Sequence, residues 1–188
     1  TPDFHPSLSF DFDEAFDVIA AEVRNVQENV GLCEVNGFNR FEITGTDRHV
    51  FLDRMFCGNV TKRDGRVGLG YLLNHFGMVK GEATIANIPA SDRGPARAWY
   101  GSAAASEFHD MDWLRAHMSA DEDVQIRSIT NDQTILVLAG PKSRDVLSAC
   151  SRGDWSKAAF PWLSVRECFI GFAPATVMGV SFSGELAY

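Results

Sequence analysis

From Asp13 onward, Phe16, Ile19, Ala20, Val23, Val26 and Val30 recur at three- and four-residue steps, which predicts an amphipathic helix closed by Gly31. Asp13 and Glu14 suit its positive end. The pattern then changes to alternation. Phe41 and Ile43 between Arg40 and Glu42 predict a half-buried strand, and Asp47 is placed to cap a short helix that turns Val50, Phe51 and Met55 inward. Residues 66–73 and 78–88 read as two strands joined by Asn74, His75, Phe76 and Gly77, a hairpin in length and composition. After the turn Asp92-Arg93-Gly94-Pro95 come a short aromatic strand, 98–101, and a helix capped by Ser102 that buries Phe108, Met111, Leu114 and Met118. Strands at 124–129 and 133–139 follow, joined by Thr130-Asn131-Asp132. Gly140-Pro141 then opens a helix with Val146, Leu147 and Cys150 facing inward. Strands near 165–169 and 176–182 complete the pattern. Helices interspersed with hairpins favour an α+β fold of mixed sheets and packed helices over a doubly wound parallel sheet. We expect Phe16, Ile19, Val23, Phe41, Ile43, Phe51, Leu136, Leu138, Val177 and Val180 to lie in its core.

At 188 residues the chain is long enough for one domain with a real core. Residues 1–12, with Pro2 and Pro6 and no period, read as a lead-in or linker, and 13–188 as the domain. The chain starts at Thr1 without a signal-peptide pattern, and we expect a piece of a longer polypeptide. The longest apolar run, residues 135–139, is a strand length and not a membrane span. A net charge of −8 repels phosphate backbones and anionic lipid, so neither nucleic acid nor membrane is an expected partner.

Cys33, Cys57, Cys150 and Cys168 are widely spaced without a C-x-x-C pair, and are expected to be reduced core residues of a cytosol-like compartment, with no bound metal. Gly65, Gly68 and Gly70 match no phosphate-loop spacing and read as points of close approach. His109, Asp110, Asp112 and His117 spread over different faces of a helix and read as a solvated, salt-bridged surface. Glu82 differs from these. It is a carboxylate in the small-residue strand Gly81-Glu82-Ala83-Thr84-Ile85, where burial would suit it to proton handling or cation pairing; an outward-facing position is the alternative.

A series of segments runs in order along the chain. Val30-Gly31-Leu32, Phe41-Glu42-Ile43-Thr44-Gly45 with Asp47, and Phe51-Leu52-Asp53-Arg54 come first, followed by Leu73-Asn74 with Gly77 and His109-Asp110 with Trp113-Leu114. Leu138-Ala139-Gly140-Pro141 with Ser143-Arg144, Phe160-Pro161-Trp162-Leu163, and Ser181-Phe182-Ser183-Gly184-Glu185-Leu186 complete it. In that order and spacing the chain resembles the folate-binding aminomethyltransferase family (glycine cleavage T-protein), and within it the tetrahydrofolate domain of dimethylglycine and sarcosine dehydrogenases.

The resemblance implies the N-terminal part of a three-subdomain fold with tetrahydrofolate bound at the centre, an FAD-containing dehydrogenase domain preceding it on the same polypeptide, and a cytoplasmic or mitochondrial-matrix location. It implies a function in which an N-methyl amine is oxidised by the flavin half and this domain captures the one-carbon unit as 5,10-methylenetetrahydrofolate. Glu82, where the family usually has Asp, is implied as the catalytic carboxylate beside the folate nitrogens. Leu69 stands where the family often has Tyr, five residues before Asn74. A further acid that grips the pterin is implied just past Tyr188. With strand parity placing Glu82 and Thr84 on one side, we expect Leu69, Glu82, Thr84, Trp162 and Phe182 to line one folate pocket. The alternatives are a non-catalytic folate-fold module and a glycine-cleavage aminomethyltransferase acting on a lipoyl carrier.

Overall fold

The computed structural model describes Phe10 and residues 15–58, 60 and 62–188. The predicted lead-in, apart from Phe10, lies outside the described residues, as do Asp13 and Glu14.

The centre of the fold is a six-stranded antiparallel sheet. Its strands are β2 (Phe38–Thr44), β3 (Phe56–Cys57), β4 (Arg66–Leu73), β5 (Val79–Ile88), β6 (Arg97–Ala103) and β7 (Gln125–Ser128), in the order β3-β4-β5-β6-β2-β7. The β4–β5 hairpin forms as its sequence predicts. Asn74 organises the turn, its side-chain oxygen accepting the Phe76 and Met78 N–H groups at 3.0 Å each, and Gly77 takes the left-handed φ of 77°.

One face of the sheet carries the main core. Phe41 stacks on Tyr100 at 5.1 Å, and Ile43, Leu72, Ala83, Ile85 and Ala98 surround them. Two helices cover this face, α2 (Arg48–Met55) through Phe51 and Leu52, and α3 (Glu107–Ala116) through Met111 and Leu114. Gly70 permits close packing, since a Cβ there would lie 2.8 Å from the Phe56 ring. On the opposite face, the hairpin β9 (Val165–Ile170) and β10 (Ala173–Met178) lays Val165 and Met178 against Val67, Ala86 and Ile88. A third cluster joins α4 (Ser143–Cys150) to that hairpin through Leu147, Trp155, Phe160 and Val177. Strands β1 (Gly31–Glu34) and β8 (Leu136–Ala139) pair as a separate ribbon.

The α+β class stands, with every strand ladder antiparallel. Several local expectations are corrected. Phe41, Ile43, Phe51 and Val177 are buried and Leu138 and Val180 half-buried, but Phe16, Ile19, Val23 and Leu136 are exposed, Phe16 by 51%. The first helix, α1 (Ala15–Glu28), buries no residue. It is held at its C-terminal end, where Asn29 accepts from the Lys142 backbone N–H and side-chain ammonium. Amphipathic spacing therefore marks a face of α1 without any core against it. Val50 and Phe108 are exposed as well.

Asp47 occupies the N-cap position of α2 as expected, its backbone carbonyl accepting the Phe51 N–H, but its carboxylate makes no capping hydrogen bond and instead accepts the Asp123 backbone N–H at 2.9 Å. Ser102 lies within β6, and the N-cap of α3 is Ser106. The helix after Pro141 begins at Ser143. β10 starts earlier than expected and ends at Met178, since Gly179 leaves the ladder to bond with Leu163 and Ser164. All four cysteines are free, but Cys33, Cys57 and Cys150 are exposed and Cys168 half-buried, so they are not core residues.

Candidate functional site

The ladder between β5 and β6 runs from Ile88–Arg97 to Thr84–Gly101 and stops there. Beyond that point Gly81, Glu82 and Ala83 continue their pairing with β4, while Ser102 and Ala103 continue with β2, so the two central strands part. The gap is a cleft of about 250 Å³ lined by Phe38, Leu69, Gly81, Glu82, Ala83, Thr84, Gly101, Ser102, Ala103, Ser106 and Asp110. Its walls are mostly small side chains, which leaves a slot between two backbones.

Strand parity sets out its rim. Leu69 is directly opposite Thr84, and Tyr71 opposite Glu82, so these four side chains share the face of the sheet that the helices do not cover. Leu69, Tyr71 and Glu82 are exposed and Thr84 half-buried. Tyr71 stands beside Glu82 across the ladder, and the negative charge of that carboxylate, then its capacity to accept the phenol's proton in a hydrogen bond, hold the phenol above its ordinary range. Glu82 is thus a rim residue with a tyrosine partner, corresponding to the outward alternative and not to a buried acid.

The inner end of the cleft belongs to Asp110, 1% exposed in the first turn of α3. Its Oδ2 accepts from the Tyr100 hydroxyl at 2.7 Å, from the Ser102 hydroxyl, and from Asn39 Nδ2 at 3.5 Å. Asn39 Nδ2 also donates to Ser102 Oγ at 2.7 Å, and its Oδ1 accepts the Ser102 N–H. Burial, then the hydrogen bond to Asp110, push the Tyr100 hydroxyl far above the ordinary tyrosine range, so it stays a neutral donor. Asp110 Oδ1 lies 3.3 Å from His109 Nδ1.

Of the residues expected to form one pocket, Leu69, Glu82 and Thr84 come together at this cleft. Trp162 and Phe182 are not among its lining residues, and both rings are exposed, Trp162 by 66%. They sit on the turns flanking the β9–β10 hairpin, outside the gap between β5 and β6. Asp110 corrects the solvated-surface reading of His109, Asp110, Asp112 and His117. The signal was present in the spacing: Asp110 precedes the buried Met111 and Leu114 by one and four residues, which is the core stripe of a helix. Among the described residues no group of three His, Cys, Asp or Glu side chains is arranged to hold a metal, and no helix is long and apolar enough to cross a membrane.

The family model described as the GCVT N-terminal domain matches residues 2–188. The chain belongs to this family. It is 30% identical over 174 residues to the mitochondrial dimethylglycine dehydrogenase of Rattus norvegicus, a match covering 92% of this chain and 20% of that protein. It is 32% identical over 176 residues to sarcosine oxidase subunit alpha of Rhizobium meliloti, covering 90% of this chain and 17% of that one. The chain therefore spans about a fifth of the length of these relatives. Its fold is that of the glycine cleavage system aminomethyltransferase T from Bartonella henselae, with a TM-score of 0.70 at 16% identity over 89% of this chain and 43% of that one. The family and fold read from the ordered segments are both borne out, and the relatives carry the dehydrogenase and aminomethyltransferase names that the segments pointed to.

Proposed function

We propose that this GCVT-family chain is the tetrahydrofolate-binding, one-carbon-transfer domain of an enzyme that demethylates an N-methyl amine of the dimethylglycine or sarcosine type. The observation that carries the reading is the slot between β5 and β6, with acceptor carboxylates at its two ends and an apolar rim residue, Leu69. A pterin is flat and bears N–H donors, and this slot offers small-residue walls and acceptors. At about 250 Å³ it is just below the roughly 300–1,000 Å³ of pockets that enclose a whole ligand, which suits one ring system with the remainder laid along the open face. Bound tetrahydrofolate supplies the nucleophilic nitrogens that take up the one-carbon unit as 5,10-methylenetetrahydrofolate.

The chain's own residues then have defined tasks. Leu69 and Thr84 support one face of the ring. Glu82 orients the nitrogen that reacts and holds or exchanges its proton, with Tyr71 fixing the position of the carboxylate. The flavin that oxidises the amine belongs to another part of the polypeptide, as the family resemblance implies. Proximity would let this domain trap a reactive one-carbon species before water disperses it. A cytoplasmic or matrix location belongs to the same proposal.

The test is binding of 5-formyltetrahydrofolate by calorimetry, followed by methylenetetrahydrofolate formation, both in the polypeptide that carries both halves and the acid implied past Tyr188. Glu82→Gln keeps size and hydrogen-bonding reach while removing the charge. Affinity should fall modestly and capture by about 10²-fold. Binding with no capture above the solution rate would favour the non-catalytic module, and capture at the wild-type rate in Glu82→Gln would remove the catalytic role of Glu82.

A further inference from the structure

The loop between β1 and β2 carries the dipeptide Asn36-Gly37, and both residues are exposed. An asparagine before a glycine holds an electrophile and a nucleophile in one short segment. The Asn36 side-chain carbon Cγ and the Gly37 backbone nitrogen are linked through Cβ, Cα and the carbonyl carbon, so a bond between them closes a five-membered ring. Glycine in second place leaves that nitrogen unshielded and the backbone free to turn. A Cβ built on Gly37 would meet nothing within 4 Å, and the Gly37 N–H donates to no acceptor among the described residues.

The tertiary structure adds what the dipeptide alone lacks. Asn36 Oδ1 accepts the Ile135 backbone N–H at 3.0 Å and Arg40 Nη1 at 3.5 Å, while Nδ2 donates to the Glu34 carboxylate and fixes which way the amide points. Arg40 is 3% exposed. Its guanidinium donates otherwise to the Thr130 carbonyl, its Nε is buried without a hydrogen bond, and among the described residues no carboxylate lies within ion-pair distance of it. A buried cation without a counter-charge favours negative charge placed beside it. The Asn36 amide oxygen is the atom so placed.

We infer that Asn36-Gly37 is a self-modifying site, at which the Gly37 nitrogen attacks Asn36 Cγ and ammonia leaves, with Arg40 and the Ile135 N–H holding the negative charge that develops on Oδ1. The Gly37 N–H proton passes to water. The N–Cγ bond forms, the Cγ–Nδ2 bond breaks, and Nδ2 takes up a proton to leave as ammonia. Water then opens the cyclic imide at either of its carbonyls, giving an aspartate or an isoaspartate. The one co-reactant is water, and nothing is oxidised or reduced. Fixed donors aimed at the oxygen where charge develops lower the barrier to a tetrahedral intermediate, and a buried guanidinium does so without reorganising. The product sets a carboxylate beside Arg40, supplying the counter-charge that cation lacks, and leaves Glu34 without its donor. Phe38, in the wall of the cleft, follows directly after Gly37, and the isoaspartate lengthens the main chain there by one carbon.

The test is peptide mapping by mass spectrometry of the polypeptide that carries both halves, aged in mildly alkaline buffer, folded and in urea, beside Gly37→Ala and Arg40→Gln. Conversion to aspartate and isoaspartate is expected at Asn36 ahead of the other asparagines of this chain, and faster in the folded protein than in urea. Gly37→Ala has room and no positive φ, so it folds, and its methyl group shields the nitrogen and slows conversion in both states. Arg40→Gln should slow the folded rate about 10-fold, less than the loss of a fully aligned oxyanion donor because the contact is long, and leave the rate in urea unchanged. A folded wild-type rate equal to or below that in urea, an unchanged folded rate in Arg40→Gln, or an unchanged rate in Gly37→Ala overturns the proposal. Should Arg40→Gln fail to fold, the comparison of folded and unfolded wild type decides by itself.

Discussion

Asp110 and Glu82 occupy the two ends of one cleft in opposite surroundings, one buried under a donor network and the other exposed beside Tyr71. The tyrosines beside these carboxylates report on each of them. All three tyrosines, Tyr71, Tyr100 and Tyr188, are held above the ordinary range, Tyr71 by the Glu82 charge and the other two by burial first. A raised folded-state pKa means that the proton is bound more tightly in the native protein. The stabilisation is fully present below the unfolded tyrosine value near 10 and is lost as pH rises above it. An alkaline titration followed at 295 nm should show Tyr100 ionising only as the protein unfolds. Glu82→Gln should shift the Tyr71 titration downward without moving that of Tyr100, and an unchanged Tyr71 would show that the two side chains do not pair. Glu82 stood out in sequence because a charge interrupts a small-residue strand. Asp110 did not, because neighbouring His and Asp residues masked a helical stripe whose burial depends on β6.

At the level of elements, local chemistry and burial part company. The β4–β5 hairpin was fully legible, since Asn74 and Gly77 form the turn by themselves and alternation sets the faces. Helix α1 was legible as a helix and not as to its burial. Its periodic apolar residues meet no core in this chain, and a hydrophobic stripe specifies a face without specifying what covers it. The energetic consequence is measurable. Ile19→Ser on α1 should change stability by no more than about 0.5 kcal/mol, the scale of exposed sites. Phe51→Ala on α2, where the ring is completely buried, should cost about 3–5 kcal/mol. Urea unfolding of the two variants checks the contrast, and comparable losses would mean that α1 is docked through its apolar face. Ser102 illustrates the reverse error. A serine before a helical pattern signals a cap, but three further residues of 3₁₀ helix intervene, and the hydroxyl serves the Asp110 carboxylate instead.

For the molecule as a whole, the order β3-β4-β5-β6-β2-β7 concentrates the buried contacts in the central strands and leaves α1 and the β1–β8 ribbon at the margin. Amide hydrogen exchange should be slowest in β4, β5, β6 and β2 and fastest in α1, because opening energies follow buried contact density. Protection in α1 equal to that of β5 would contradict this hierarchy. Helix and strand periods, turn chemistry and the order of family segments are encoded in neighbouring residues, so the sequence by itself determined the α+β class, the β4–β5 hairpin and the family, whereas the strands on either side of the 130–132 turn pair with β2 and β1 and not with each other. The insertion of β2 between β6 and β7 joins residues about sixty and ninety positions apart, a pairing that no local window contains. Only the tertiary structure decided where β5 and β6 separate, that Asp110 lies beneath that gap, and that Trp162 and Phe182 lie away from it. The position of a side chain relative to a cleft depends on how separate elements pack, and burial, unlike periodicity, is a property of the surroundings a residue acquires on folding.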